Sequence, residues 1–339
     1  MSKYLFIFGR TVELSWHELK SVIPASDRLT DSVASASLNK SEIEKMVSTL
    51  GGVYKIAIEL GNIDEVNAEN LLKFLDITQN HVDYAISCTE EGIVPVNAIA
   101  KQMKKMMTAS GVSSRFVLPK KKLQVSSTAV SKGKLCELII IPYKNSFVIG
   151  KTVLVQEYED WSKRDYGRPH SDAKSGMLPP KVARMLINIT VGDNPYGKII
   201  MDPFCGMGTI LAEALMIGCG VFGGDMDVDA VEKSKQNIRW LVSQYKNIDF
   251  GYRRIFHSEA AHISDYISPL TIDHIITEPF MGSSKLGERK IDPKKIKNIL
   301  KGLEKLYIGC FRNWHGLLKN DGRVAIAIPS INLENKVMY

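Results

Sequence analysis

The residues best suited to chemistry lie in one stretch, Lys198–Thr209, with the sequence KIIMDPFCGMGT. Its long and branched apolar residues predict a buried strand that runs into Asp202, and Gly206 and Gly208 predict a turn. Thr209 then opens an apolar run, TILAEALMIG, that is typical of a helix. The first N–H groups of a helix lack helical acceptors, and glycines let a ligand approach the backbone closely. The stretch therefore predicts a strand, a glycine loop and a helix that hold an anionic group of a ligand.

Length and composition limit the kind of protein that carries this stretch. The 339 residues exceed one ordinary core, so two or three domains are expected. No apolar run approaches the roughly 20 residues of a membrane helix, and the opening MSKYLFIFGR is too short for a signal peptide. The five cysteines are scattered without a CxxC pair, which favours reduced thiols over a disulfide framework or a zinc site. We expect a cytoplasmic protein without membrane contact or bound metal.

Charge is distributed unevenly along the chain, whose net charge is +7. Residues 1–100 hold 8 Lys and Arg against 14 Asp and Glu, whereas residues 101–151 hold 11 Lys and Arg against the single acid Glu137. A basic segment of domain size beside an acidic one is typical of a phosphate-binding surface. A solvated face of ordinary helices and strands is the alternative explanation.

Residues 1–82 alternate predicted strands and helices and form the first expected domain. Tyr4–Phe8 has the pattern of a strand, and a helix is expected to begin at Ser15, where Glu18 follows at the spacing of a capping box. Ser41–Leu50 has the pattern of a second helix, and the segment VYKIAIEL that of a second strand. This alternation predicts a small α/β domain of the ferredoxin-like kind, without residues suited to chemistry.

Residues 83–158 form a second, basic α/β segment. A predicted helix over Asn97–Thr108 carries lysines on one face, and the segments LCELIIIPY and SFVIGKTVLVQ predict two strands joined at Lys144–Asn145. Lysines around a compact domain bind RNA phosphates without reading sequence. The candidate phosphate-binding lysines are Lys101, Lys104, Lys105, Lys120, Lys121 and Lys122.

The stretch around Asp202 resembles a known cofactor-binding motif. DPFCGMGT matches neither the G-x-G-x-x-G dinucleotide pattern nor a phosphate-binding loop with its Gly-Lys-Ser/Thr. It is similar to the first motif of the S-adenosylmethionine (SAM) methyltransferases that act on amino groups of nucleobases, and the alternative is a tight turn without a ligand. The resemblance assigns cofactor binding, mainly of the methionine end of SAM, to Asp202, Pro203, Phe204, Cys205, Gly206, Gly208 and Thr209.

Three further segments resemble cofactor-contacting positions of such enzymes. Asp225 ends a predicted strand, where a carboxylate accepts hydrogen bonds from both ribose hydroxyls, and Asp227 is its neighbour or a helix cap. By the resemblance, Glu259 takes the position that meets the adenine amino group, and Ala260 lies against the adenine ring. Leu178 stands just before a helix with prolines in its first turn, and it is a cofactor contact or a packing residue.

The segment IDHIITEPFMG, residues 272–282, corresponds to the motif that manages the target amine in amino-methylating relatives. These carry Asp or Asn, two prolines and an aromatic residue. The side-chain oxygen and a backbone carbonyl accept the two N–H groups of the amine, and the aromatic face holds the base. Here Glu278, Pro279 and Phe280 stand at this point, followed by Met281. The resemblance assigns the catalytic positions to these three residues. Because Glu replaces Asp or Asn and Phe replaces the second proline, two alternatives stay open: a different methyl acceptor, or a protein that binds its target without methylating it.

Over nearly its whole length the chain resembles the THUMP-domain tRNA guanine-N2 methyltransferases, whose archaeal and eukaryotic members modify the guanosine at position 10. The segments FGRTVELSWHELKSV, FVIGKTVLVQEYEDW and RDYGRPHSDAKSGMLPPKVARMLIN carry this resemblance together with the first SAM motif. It implies that residues 83–158 form a THUMP-like domain that holds the 3′ end of tRNA. Arg164 and Arg168 would bind RNA phosphate, or would brace an interface with a carboxylate.

The predicted fold is α/β, with a Rossmann-like SAM methyltransferase domain over residues 182–339 that follows a linker at residues 159–181. Only eleven residues follow Ile328, so the closing hairpin of such a sheet is expected to be missing or built differently. The predicted function is SAM-dependent methylation of a guanine amino group in tRNA, with the need for a small activating partner protein left open. The alternatives are a DNA amino-methyltransferase (adenine-N6 or cytosine-N4) and an inactive RNA-binding relative.

Overall fold

In the computed structural model of the chain, every residue is described except 118–129, 131–134, 172–176, 246–247, 249–252, 283–292, 329–330, 334–335 and 339. The chain divides into two compact units, Met1–Tyr158 and Glu159–Tyr339, so the division falls at the start of the predicted linker. No helix among the described residues is long and apolar enough to cross a membrane. In the same residues, no group of three or more His, Cys, Asp or Glu side chains could hold a metal ion.

The first unit is an α/β structure with one large sheet. Its strands are β1 (Ser2–Phe8), β2 (Asp27–Thr30), β3 (Val33–Leu38), β4 (Val53–Ile63), β5 (His81–Cys88), β6 (Ser113–Phe116), β7 (Cys136–Tyr143) and β8 (Ser146–Val155). Its described helices are α1 (Val12–Val22), α2 (Lys40–Thr49), α3 (Ala68–Leu72) and α4 (Val96–Ala109). The strands lie in the order β2-β3-β1-β4-β8-β7-β5-β6.

The sheet of the first unit contains a group formed by β1 to β4 and a second group formed by β5 to β8. Elements β1 to β4 follow the order strand, helix, strand, strand, helix, strand, and neighbouring strands pair antiparallel. This is the βαββαβ order of ferredoxin-like folds. The other strands extend the same sheet, because β8 pairs with β4 on one side and with β7 on the other. The predicted hairpin at Lys144–Asn145 is confirmed between β7 and β8.

Two large groups of buried apolar side chains pack between this sheet and its helices. One group joins β1, α1, α2 and β4 and includes Phe6 and Leu19. The other joins α3, β5, α4 and β7 and includes Tyr84 and Met103. Leu71 of α3 packs in the second group, although α3 precedes the domain boundary predicted after residue 82. That boundary, and the THUMP-like character of the second half, stay predictions.

Helix α1 begins earlier than its sequence pattern predicts. Ser15 lies inside the helix, where its hydroxyl donates to the Thr11 carbonyl at 2.7 Å. The capping box predicted for Ser15 and Glu18 is therefore wrong. The buried Glu18 carboxylate instead accepts hydrogen bonds from the N–H groups of Gly51 and Gly52, both at 2.8 Å. Glu18 thus holds the turn that leads into β4, a contact that spacing along one helix does not reveal.

A buried ion pair lies inside the sheet of the first unit. Lys55 Nζ donates to Glu137 Oε1 at 2.6 Å, and both side chains are almost completely buried. The hydroxyls of Ser87 and Thr152 donate to the same carboxylate at 2.6 and 2.7 Å. Because Glu137 accepts three hydrogen bonds, its charge is satisfied without bulk water. The four residues come from β4, β5, β7 and β8, so the cluster links the two halves of the sheet.

The second unit is built on a five-stranded sheet. Its strands are β9 (Ile199–Asp202), β10 (Gly220–Asp225), β11 (Arg253–His257), β12 (Ile272–Thr277) and β13 (Leu318–Ile326). Its described helices are α5 (Tyr158–Tyr166), α6 (Pro180–Val191), α7 (Thr209–Met216), α8 (Val228–Gln244), α9 (Pro293–His315) and a 3₁₀ helix at Ala260–Asp265. The strand order is β11-β10-β9-β12-β13, and all neighbours are parallel. A short antiparallel pair, β14 (Ile331–Leu333) and β15 (Lys336–Met338), follows.

This parallel sheet, with helices between its strands, confirms the predicted Rossmann-like fold. Every residue of β12 is buried, as expected for a parallel strand that is covered on both faces. The segment predicted as a linker contains α5, in which Trp161 and Arg164 are buried. It therefore packs as part of the second unit. Helix α6 begins at Pro180, which confirms the helix start predicted from the prolines.

Candidate functional site

The candidate site is built at the carboxyl ends of β9, β10 and β12. These strands are neighbours and parallel, so Asp202, Asp225 and the segment that starts at Glu278 lie at one edge of the sheet. This edge is where ligands bind in open α/β sheets. The fold thus brings together three segments that are far apart in the sequence.

The loop after β9 requires both of its predicted glycines. Gly206 and Gly208 have φ angles of 47° and 81°, in the left-handed region that other residues rarely adopt. At Gly208, a Cβ atom would also lie 2.4 Å from Ser234 Oγ. Helix α7 starts at the next residue, Thr209. The N–H groups of its first turn, which have no helical acceptors, therefore lie beside the loop.

The buried carboxylate of Asp202 is held between this loop and β12. Its Oδ1 accepts hydrogen bonds from the Thr277 hydroxyl at 2.6 Å and from the Phe204 N–H at 3.2 Å. Burial raises the pKa of Asp202 to about 7, and the nearby charges of Asp225 and Glu278 act in the same direction. A cationic ligand group would stabilise the ionised form of this acid. Thr277 was not singled out from the sequence, because its role depends on the pairing of β12 with β9.

Asp225 fixes the loop from the end of β10. Its two carboxylate oxygens accept hydrogen bonds from the N–H groups of Gly206 at 2.8 Å and Asp227 at 3.0 Å. The Asp227 carboxylate accepts from the Asp229 N–H at 2.9 Å and caps α8, which is the capping role foreseen as an alternative. Met226 lies between the two acids and is 72% exposed. It adds an apolar surface at this edge that the sequence reasoning did not identify.

The predicted adenine contacts stand at the start of the 3₁₀ helix that follows β11. Glu259 is exposed, and its Oε2 lies 3.2 Å from Nδ1 of His262 in the 3₁₀ helix. Ala260 is buried, and its carbonyl accepts a hydrogen bond from Trp314 Nε1 at 2.9 Å. Ser258 donates its N–H to the Asp225 carbonyl at 3.0 Å. This bond places Glu259 and Ala260 next to the end of β10.

The other predicted cofactor contacts pack largely inside the unit. Pro203 and Cys205 are buried, and burial raises the pKa of the Cys205 thiol well above its usual value. Phe204 is half-buried, with its ring centre 6.4 Å from that of Trp314 in an edge-to-face contact. Leu178 is half-buried against the apolar core beside α6 and α7. These side chains support the loop, and the loop backbone is the part that a ligand would meet.

The predicted target-amine residues follow β12 directly. Glu278 is half-buried, burial raises its pKa above the usual value, and its carboxylate has no hydrogen-bond partner among the described residues. Pro279 is buried, whereas Phe280 is 60% exposed. The Phe280 carbonyl accepts a hydrogen bond from the Tyr307 hydroxyl at 2.9 Å, so α9 fixes this backbone. The segment thus presents a carboxylate without a hydrogen-bond partner in the described part of the chain, and an exposed aromatic ring, at the same edge as Asp202.

Arg164 is buried among carboxylates. It is 5% exposed; its Nε donates to Glu213 Oε1 at 2.7 Å, and its Nη1 donates to Asp160. Arg184 Nη2 donates to the other oxygen of Glu213 at 2.7 Å. One carboxylate therefore joins α5, α6 and α7, with the Trp161 ring 4.2 Å from the guanidinium carbon of Arg164. Of the two roles left open for Arg164, the carboxylate brace is the observed arrangement.

Arg168 is also buried, which does not fit the first of its two predicted roles, a contact with RNA phosphate. It is 9% exposed, and its Nη1 donates to Thr209 Oγ1 at 2.7 Å. The lysines of the first unit fit their prediction better where they are described, because Lys101, Lys104 and Lys105 are exposed on α4. The remaining lysine candidates, Lys120, Lys121 and Lys122, lie outside the described residues.

Comparison with known proteins relates this site to methyltransferases. A family model described as "UPF0020: RMKL-like, methyltransferase domain" matches residues 168–250, which include Asp202 and Asp225. The tRNA (guanine(10)-N2)-dimethyltransferase of Methanothermobacter thermautotrophicus is 29% identical over 196 residues, which are 56% of this chain and 50% of that protein. The chain spans about half the length of the curated relatives that it matches, with shares of 50%, 56% and 42%.

Solved structures extend the likeness to nearly the whole chain at the level of the fold. A predicted N6-adenine-specific DNA methylase from Listeria monocytogenes str. 4b F2365 aligns with a TM-score of 0.53 and 13% identity, over 96% of this chain and 88% of that one. The methyltransferase SMU.472, solved with SAH, aligns with a TM-score of 0.51 and 14% identity, over 96% and 89%. The chain thus has the fold of Rossmann-like methyltransferases, and residues 168–250 resemble a methyltransferase domain in sequence as well.

Proposed function

We propose that the chain transfers a methyl group from SAM to the exocyclic amine of a guanine in tRNA. The observation that carries this proposal is the meeting of Asp202, Asp225 and Glu278 at one edge of a Rossmann-like sheet. The methyltransferase-domain model covers the first two of these acids. Three of the matched curated relatives are tRNA (guanine(10)-N2)-dimethyltransferases, which makes a tRNA guanine the best-supported acceptor.

SAM suits both the charge and the backbone of this edge. It is a sulfonium with an ammonium and a carboxylate on its methionine end, and when bound it supplies an electrophilic methyl group. Burial, and then the charges of Asp225 and Glu278, raise the pKa of Asp202, and a cationic group of SAM nearby would stabilise its ionised form. The residues that would hold SAM are Asp202 and the loop Gly206–Thr209 for the methionine end, Asp225 for the ribose, and Glu259 with Ala260 for the adenine.

Glu278 and Phe280 would manage the target base. A guanine amino group is a weak nucleophile, because its lone pair is delocalised into the ring. A carboxylate of Glu278 that accepts one N–H, with the Pro279 carbonyl accepting the other, would orient this lone pair for attack. The exposed Phe280 ring offers a stacking face for a base taken out of its helix. Glu278 therefore supports catalysis despite the departure from the Asp or Asn of amino-methylating relatives.

The first unit would hold the tRNA. Lys101, Lys104 and Lys105 are exposed on α4, where they can contact phosphates without reading sequence. We assign this role to residues 83–158 as a THUMP-like domain. We also propose a cytoplasmic location, and a small activating partner stays a prediction.

Mass spectrometry of nucleosides tests the proposal directly. Unmodified tRNA transcript is incubated with the protein and SAM, digested, and analysed for N2-methylguanosine and its dimethyl form. A matched reaction with duplex DNA is the control for the rival acceptor. Methylated guanosine in the tRNA sample alone is the expected result. Methyl groups found only in DNA, or in neither nucleic acid while SAM binds, would contradict the proposal.

The affinity for SAH is expected to depend on pH through Asp202. The pKa of Asp202 is about 7, so at pH 6 most of the carboxyl is protonated, whereas at pH 8 most is ionised. An ammonium group that favours the carboxylate should therefore bind up to about tenfold more tightly at pH 8 than at pH 6. Isothermal titration calorimetry across this range measures the effect.

Two variants separate Asp202 from other groups that titrate in this range. Asp202→Asn should bind SAH with an affinity that no longer changes with pH. Glu232→Gln, an exposed acid on α8, should keep the wild-type dependence. A wild-type affinity that is constant from pH 6 to 8, or that falls with rising pH, would show that Asp202 does not face the cationic group.

A further inference from the structure

Arg168 is a buried cation that has no buried carboxylate within hydrogen-bond distance among the residues that the structure describes. Its Nη1 donates to the Thr209 hydroxyl at 2.7 Å, its Nη2 donates to Met177 Sδ at 3.6 Å, and Asp165 lies 3.9 Å from the guanidinium. Its Nε has no hydrogen-bond partner among the residues that the structure describes. Only 9% of the residue is exposed, so bulk water does not compensate for these weak contacts.

A comparison with Arg164 shows the kind of partner that Arg168 lacks among the described residues, which is a carboxylate at hydrogen-bond distance. Arg164 donates to the buried carboxylate of Glu213 at 2.7 Å, and the charges of Glu213 and Asp160 raise its pKa. For Arg168, burial lowers the pKa, and the charges of Asp165 and Glu213 only oppose that effect. Buried guanidinium groups are normally paired with an anion. Among the described residues, Arg168 thus has no short contact with an anionic oxygen.

The position of Arg168 shows where such an anion would bind. Its partner Thr209 is the first residue of α7, an eight-residue helix, and follows Gly208 of the loop. The N–H groups of the first turn and the helix dipole favour a negative charge at the same point. A buried arginine and a helix start therefore converge on one anion subsite beside the proposed methionine end of the donor.

We propose that Arg168 and the start of α7 bind the α-carboxylate of the amino-acid part of the donor. This inference rests on the proposed function in one respect, which is that the donor is SAM. A planar carboxylate matches the fork of a guanidinium with two parallel hydrogen bonds. An RNA phosphate fits less well, because Arg168 is buried and the backbone of a polynucleotide would have to enter the unit to reach it.

Paired binding measurements test this assignment without relying on activity. Isothermal titration calorimetry compares SAH with 5′-S-(3-aminopropyl)-5′-thioadenosine, which lacks only the carboxylate. The wild-type chain is expected to prefer SAH by about 10- to 100-fold, the size of a charge-assisted hydrogen-bonded contact. Arg168→Gln should reduce this preference to about threefold or less. Arg239→Gln, an exposed arginine on α8, is the control and should keep the full preference.

The possible results separate this inference from the proposed function. If Arg168→Gln keeps the full preference, or if the wild type binds both ligands equally, the carboxylate assignment is overturned while SAM binding stands. If the wild type binds neither ligand, the proposed function falls as well. If Arg168→Gln lowers the affinity for tRNA and leaves the preference for SAH unchanged, the arginine contacts RNA and the assignment is overturned. Arg168→Lys, which keeps the charge, provides the same comparison if the glutamine variant fails to fold, with an intermediate preference expected.

Discussion

Replacing Glu278 with alanine is expected to lower the rate of methyl transfer to tRNA by at least about 10²-fold. The carboxylate follows β12 and has no hydrogen-bond partner among the described residues, so it is available to accept an N–H of the target amine. Its loss should leave the affinity for SAH nearly unchanged, because we assign donor binding to Asp202 and Asp225. Single-turnover kinetics with labelled SAM and calorimetry with SAH measure the two quantities separately.

Two further variants give this experiment its controls. Glu278→Gln keeps an acceptor oxygen and should retain part of the rate. Burial raises the pKa of Glu278, so the wild-type rate should rise with pH through that raised pKa, and the glutamine variant should lose this dependence. Glu304→Ala, which removes an exposed acid on α9, should leave the rate unchanged. If Glu278→Ala and wild type gave equal yields of methylated guanosine, Glu278 would have no role at the target amine.

The second large effect concerns stability, since Glu213→Ala is expected to destabilise the second unit by about 3–5 kcal/mol. Glu213 is 1% exposed and accepts hydrogen bonds from Arg164 and Arg184, both at 2.7 Å. Its removal would leave two buried guanidinium groups without this shared carboxylate. The cost of that unpaired charge exceeds the cost of the lost packing.

Tryptophan fluorescence during urea unfolding can measure this effect in the intact chain. Of the four tryptophans, Trp161, Trp240 and Trp314 belong to the second unit, so the signal reports mainly on that unit. Glu232→Ala removes an exposed acid on α8 that pairs with Lys235 and should cost less than about 1 kcal/mol. A loss of similar size in both variants would mean that the brace around Glu213 contributes little.

The sequence was most informative where the local structure depends on residues that are close together in the chain. The strand, glycine loop and helix around Gly206 and Gly208 form as predicted, because β-strand hydrophobicity and the positive φ angles are local properties. The Rossmann-like sheet was expected from the resemblance to methyltransferases, whereas the order of its strands was not predicted. The position of Glu278 then followed from the strand end, since parallel strands place their carboxyl ends at one edge.

Sequence reasoning failed where a charged side chain finds its partner far along the chain. For Arg164 and Arg168 the sequence left open a contact with RNA phosphate or a brace to a carboxylate, because their partners Glu213 and Thr209 lie more than 40 positions away. Glu18 was assigned to a cap on its own helix, whereas it binds N–H groups 33 and 34 positions away. Such contacts arise from packing and have no spacing signature.

The place of β8 in the first unit has a consequence for how the protein is made. A chain leaves the ribosome from its N-terminus, and β8 (Ser146–Val155) is the last strand of the unit to appear. Yet it lies in the middle of the sheet, between β4 and β7. Until β8 has been synthesised, the edges of β4 and β7 that pair with it have no partner strand. The hydrogen bond from Thr152 of β8 to Glu137, the partner of Lys55, is then also absent. The nascent unit therefore passes through an interval of exposure to aggregation that ends only when its central strand is inserted.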